Sequence, residues 1–169
     1  MKTMKLLFFI FILSVTGCKQ SSTKESRLFY DSVHRLLDKA EPELNELGDS
    51  VIAIQKHLRM NNNYIADTAE LRELLKQTMI TNQSVIDSIT LLEDYEPATG
   101  LKTAALNYAS GWQDVLADEF TTWINELPLV MEDKAGYFEN RMRPRLEQVQ
   151  ESSDYLTQKN RHYKKTFGF

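Results

Sequence analysis

Cysteine is almost missing from this chain: Cys18 is the only one among 169 residues. Without a second thiol there can be no intrachain disulfide and no cysteine-rich metal cluster, and past residue 18 no cysteine nucleophile. Glycine and proline are sparse, at six and four residues, which disfavours a turn-rich sheet protein and suits long helices. An excess of basic charge is lacking as well. Twenty Lys and Arg stand against 24 Asp and Glu, a formal net charge of −4, and this excludes a general nucleic-acid binder. Familiar catalytic patterns are absent too: no Gly-x-Ser-x-Gly elbow, no His-Glu-x-x-His, no phosphate-cradling glycine loop. Without Cys-x-x-Cys-His, covalent c-type haem is excluded. The paired Glu-x-x-His of di-metal bundles is missing, and its nearest approach is a single Asp31-Ser32-Val33-His34. The sequence therefore predicts a non-enzymatic protein without a resident metal or cofactor.

What is present begins at the N-terminus. Lys2 and Lys5 precede an apolar run from Leu6 to Val15, about ten residues long, which ends in Val15-Thr16-Gly17-Cys18. Such a run is half the roughly 20 residues that a transmembrane helix needs, and small residues before the cysteine form a cleavage site. The segment resembles the signal of bacterial lipoproteins, in which Val15-Thr16-Gly17-Cys18 is the lipobox. That resemblance covers the export segment only. It implies a signal peptide over 1–17, acylation of Cys18 by palmitate-like chains, and anchoring of the mature protein at a bacterial envelope membrane. Lys19 after the cysteine is not aspartate, which by the sorting rule of proteobacterial lipoproteins favours the outer membrane. Two or three acyl chains exceed what stable anchoring needs. Loss of Lys2 and Lys5 takes the formal charge from −4 to −6.

Residues 18–24 read as a lipidated cysteine and a polar tether, some 20 Å long when extended. From 25 to 169 the apolar spacing predicts one all-α domain, an antiparallel up-down-up-down four-helix bundle. The first stripe is Phe29, Val33, Leu37, Ala40, Leu44, Leu47, Val51, Ile54 and Leu58, a seam of alternating steps of four and three. It keeps phase across Pro42 and Gly48, so a kinked continuous helix is expected there. Asn61-Asn62-Asn63 is a turn, and Asp67 with Glu70 is a capping-box pattern for the second helix. That helix runs through Leu71, Leu75, Thr78, Asn82, Val85, Ile89 and Leu92, and 94–100 ends it. The third carries Leu101, Ala105, Tyr108, Trp112, Val115, Leu116, Phe120, Trp123 and Leu127, with a drift expected of a straight helix. The fourth carries Met131, Ala135, Phe138, Met142, Leu146, Val149, Ser153, Leu156 and Tyr163, with a kink expected at Pro144.

Three sets of residues invite a functional reading. Asn82 holds an inward seam position, where it would fix helix register or line a ligand cavity. Tyr108 and Trp112 carry polar atoms that need partners when buried, and with Asn82 they would form a pocket for an apolar ligand or haem, beside small Ser110 and Gly111. His34 and His162 fall at the same end of an up-down bundle, and Met142 lies farther along. The acids Glu41, Glu43, Glu46 and Asp49 read as a solvated face. The C-terminal stretch of Lys159, Arg161, Tyr163, Lys164, Lys165, Phe167 and Phe169 is basic and aromatic on an acidic protein. It would either press the bundle against an anionic lipid surface or complement a helix dipole. The leading expectation is an envelope interaction module that meets a protein partner through a bundle face and the membrane through Cys18. A bundle holding an apolar ligand or haem is the alternative.

Overall fold

The computed structural model describes residues 23–61, 64, 66–93, 95, 99–128, 136 and 138–169. The signal, Cys18, Met131 and Ala135 lie outside the described residues. Those described form an all-α four-helix bundle, and no strand occurs among them.

The first rod is two helices. Residues 23–37 form α1, which starts two residues before the expected start of the domain at 25, and Glu41–Met60 forms α2. The expected continuous helix is interrupted between them. Lys39 N–H bonds to Leu36 O and Ala40 N–H to Leu37 O, at 3.2 and 3.1 Å, in the tighter i→i−3 pattern, and Leu44 N–H to Ala40 O at 3.1 Å restarts the α ladder. Pro42, in the first turn of α2, has no N–H to offer the carbonyl of residue 38. The seam nonetheless holds its phase, because Val33, Ala40, Leu47 and Val51 are all buried.

Ala69–Leu91 is α3. Its N-cap is Thr68, with no side-chain cap bond, so the capping box does not form. Asp67 Oδ1 still accepts from Ala69 N–H at 3.0 Å. Gly100, at φ 69°, supplies the left-handed residue that opens α4, Leu101–Val115. Lys102 Nζ reaches back to cap α3, donating to Thr90 O at 2.9 Å and to Leu92 O.

The third rod does not drift as a straight helix would. A π-helical turn, Leu116–Phe120, joins α4 to α5, Thr121–Glu126. Val115 and Leu116, at the entry to this turn, are both buried, as are Phe120 and Trp123. The wider turn takes up an extra residue. Thr121 Oγ1 donates to Leu116 O, five residues back, at 2.9 Å. The fourth rod repeats the device: a π turn over Phe138–Met142 leads into α6, Arg143–Phe167. Pro144 thus occupies the first turn of α6, where its missing N–H costs little, rather than kinking a helix.

Neighbouring rods run antiparallel. Tyr163, late in α6, donates its hydroxyl to Ser26 O in α1 at 3.0 Å, while Arg59, late in α2, pairs with Glu139 at the start of the fourth rod at 2.6 Å. The core divides in two. One half gathers Phe29, Val33, Ile89, Leu101, Ala104, Ala105, Leu156 and Tyr163. The other gathers Leu47, Leu58, Leu75, Leu116, Phe120, Trp123, Met142 and Val149.

Candidate functional site

Between the two core halves the first rod stands away from the fourth. At one end His34 Nε2 lies 3.0 Å from Asn160 Oδ1, and at the other Arg59 meets Glu139. In between, α2 packs chiefly on α3, and a cavity of about 510 Å³ opens between α2 and α6, floored by α3 and α4. That volume is in the range of small-molecule sites. Its lining includes Asn82, Tyr108 and Trp112, the three residues that the spacing places on inward faces of two different helices.

Each has a defined environment. Asn82 is 1% exposed, and its Nδ2 donates to Ala109 O and to Gln113 Oε1, both at 2.9 Å. Both amide hydrogens are thereby committed. The carbonyl oxygen is the end left to accept. These bonds tie α3 to α4, so the register role is met at the same residue. Trp112 is half-buried with its Nε1 shielded from water, and no hydrogen bond is made to that nitrogen among the described residues. A buried donor without an acceptor is costly. Tyr108 is half-buried and touches both core halves.

The α2 wall was not read as part of a site. Asn45, Gly48, Asp49 and Ile52 line the cavity together with Glu41. The steps 41, 45, 48, 52 run one residue out of phase with the buried seam 40, 44, 47, 51, and that offset stripe is the signal that could have found the wall. An added Cβ on Gly48 meets nothing within 4 Å. The acidic face is solvated at three of its four positions: Glu41, Glu46 and Asp49 are exposed, with Glu41 and Asp49 at the rim of the cavity, whereas Glu43 is half-buried and one of its oxygens has no partner among the described residues. Gly111 and Ser110 do not line it. Gly111 instead faces α6, where an added Cβ would lie 3.6 Å from Val149 Cγ2, an ordinary van der Waals contact.

The C-terminal stretch separates into core and surface. Tyr163 is fully buried and so cannot be a membrane contact. Phe167 and Phe169 are half-buried and pack into the core half around it. Arg161, Lys164 and Lys165 are exposed and Lys159 is half-buried. Lys164 Nζ lies 5.0 Å from the Tyr30 ring centre, and Lys159 Nζ lies 5.2 Å from that of Tyr155. Both are cation–π distances. The chain closes on Gly168, a left-handed cap at φ 75° whose N–H reaches Lys164 O. His162 is exposed, and Met142 is buried in the far core half, so neither joins His34 at the cavity.

No described helix is long and apolar enough to cross a membrane. No group of three or more His, Cys, Asp or Glu that could hold a metal occurs among the described residues. Comparison with protein-family models, with curated proteins and with solved structures found no match.

Proposed function

We propose that this chain is an envelope lipoprotein, anchored through Cys18 with the outer membrane favoured, whose bundle is a non-enzymatic binding module. The lipobox supports the anchor. One observation supports the binding role above the rest: a cavity between the helices that contains the carbonyl end of Asn82, the ring of Tyr108 and the indole of Trp112. A buried acceptor such as the Asn82 carbonyl, left open at the wall of a concave site, is what a ligand would complete.

Native mass spectrometry on the lipoprotein, extracted gently from its own membrane, tests this. The expected result is an acylated chain carrying a small-molecule adduct that Gly48→Leu removes. A bare acylated monomer after extraction, with no ligand that can be loaded back, would count against the binding role. For the anchor, Cys18→Ser should move the protein from the membrane fraction to the soluble one, and persistence at the membrane would reject lipidation.

A second reading, a surface for a protein partner, is favoured by a separate feature. Leu75, Met79, Ile80 and Ile124 line an apolar groove of about 500 Å³ between α3 and α5, flanked by Arg72 and Lys76. Ile80 is 54% exposed, and an apolar patch with a charged rim is the usual form of a protein-docking face. Ile80→Asp should abolish co-purification of such a partner and leave the small-molecule adduct untouched. The cations Lys164 and Lys165 would orient the bundle at an anionic lipid surface. Their neutralisation should weaken liposome binding of the unlipidated chain.

A further inference from the structure

We infer that the cavity between α2 and α6 selects an organic amine, a positively charged nitrogen on an apolar body. This rests on the binding role proposed above and adds the chemical class of the ligand.

The charge of the wall is one-sided. Asp38, Glu41 and Asp49 all line the cavity, and no lysine or arginine does. None of the three acids forms an ion pair among the described residues. The N-terminal turn of α2 favours Glu41 and, just ahead of it, Asp38. Asp49 is two turns farther on and has no such neighbour. His34 is the one basic residue in the wall, and its Nε2 is engaged with Asn160. All three acids are exposed at the mouth of the cavity, so an anionic ligand would approach against like charge, whereas a cation would be drawn in.

The floor points the same way. Tyr108 and Trp112 bring two aromatic rings to the cavity, and the negative face of such a ring attracts a cation but gains nothing from an anion. Asn82, buried beneath them, has spent both hydrogens of its amide on Ala109 and Gln113. What it can offer a ligand is an acceptor, and an ammonium is a donor without acceptors. Leu37, Leu44 and Val85 supply the apolar part of the lining, so a bare inorganic cation would leave most of the site unfilled.

A matched series of probes separates charge from shape: 4-phenylbutylamine, 4-phenylbutanol and 4-phenylbutyrate share one skeleton. Each is titrated against the full lipoprotein in a nonionic detergent, with tryptophan fluorescence and calorimetry as readouts. The amine should bind saturably, about tenfold or more tighter than the alcohol, and the carboxylate should not bind. Asp49→Asn should weaken the amine and leave the alcohol unchanged. Gly48→Leu, which fills open space on a helix and so retains the fold, should abolish binding of both. If the carboxylate or the alcohol binds as tightly as the amine, the charge assignment is overturned while the cavity stands as a site. If none of the three binds saturably, the amine assignment falls, while the binding role stands or falls with the native mass spectrum.

Discussion

The two halves of the core solve the same packing problem with different completeness. In the half around Tyr163, buried polar groups are paired. The Tyr163 hydroxyl meets Ser26 O, His34 meets Asn160, and Lys102 caps the last carbonyls of α3. Small Ala104, Ala105 and Ala109 allow α4 to lie close to its neighbours. The half around Trp123 contains both π turns and a set of buried atoms without partners: both amide atoms of Gln55, Nε1 of Trp123, and one oxygen each of Glu119 and Glu126. Arg141 approaches Glu119 only to 3.8 Å, linking the two π turns loosely. Among the described residues, apolar burial thus coexists with polar pairing in one half and with unmade bonds in the other. Apolar pattern and polar satisfaction are separate requirements, and a bundle can meet the first without the second.

Mutations should separate the halves by the sign of their effect. The largest expected loss is Tyr163→Ala, which empties the centre of the paired half and should cost about 3–5 kcal/mol in denaturant unfolding. A loss under about 1 kcal/mol would mean that this half is not the tighter one. Next comes a pair with opposite signs. Tyr163→Phe removes one satisfied bond and should destabilise by about 1 kcal/mol, whereas Gln55→Leu removes two orphaned atoms and should stabilise by a similar amount. Equal signs for the two would end the distinction. Gly48→Ala, on the cavity wall, should raise stability by up to about 1 kcal/mol through helix propensity alone, since its methyl group meets open space. The smallest effect belongs to Arg59→Ala. It breaks a pair with Glu139 in which the arginine is mostly exposed and should change the unfolding midpoint by less than about 1 kcal/mol.

The heptad seams made the bundle legible. Val33, Leu47, Leu75, Val85, Leu101 and Leu156 all lie where a core-facing stripe requires, because burial of an apolar face is a local pattern repeated along each helix. The meeting of Asn82, Tyr108 and Trp112 was legible for the same reason. The π turns were not, because adjacent buried pairs such as Val115 and Leu116 also occur in regular helix, as at Ala104 and Ala105. A stripe that slips by one residue reads equally as gentle drift and as a wider turn, and packing between rods decides. The tail misled because Tyr163 and Phe167 are amphipathic or apolar, and composition does not say whether an aromatic faces lipid or its own core. The cavity wall was hidden for a further reason. Asp49 and Gly48 look like ordinary surface until a second helix fails to cover them.

The interruption at residues 38–40 bears on how the cavity would meet the ligand proposed for it. The first rod is clasped to the fourth at both ends, by His34 with Asn160 and by Arg59 with Glu139, and is bare in the middle. The opening resembles a window between two jambs, each jamb a side-chain pair. A molecule entering it has little to rearrange, and ordering that would otherwise oppose association is completed when the chain folds. Pro42 and Gly48, which look like flaws in a helix, are then the residues through which folding shapes the aperture in advance.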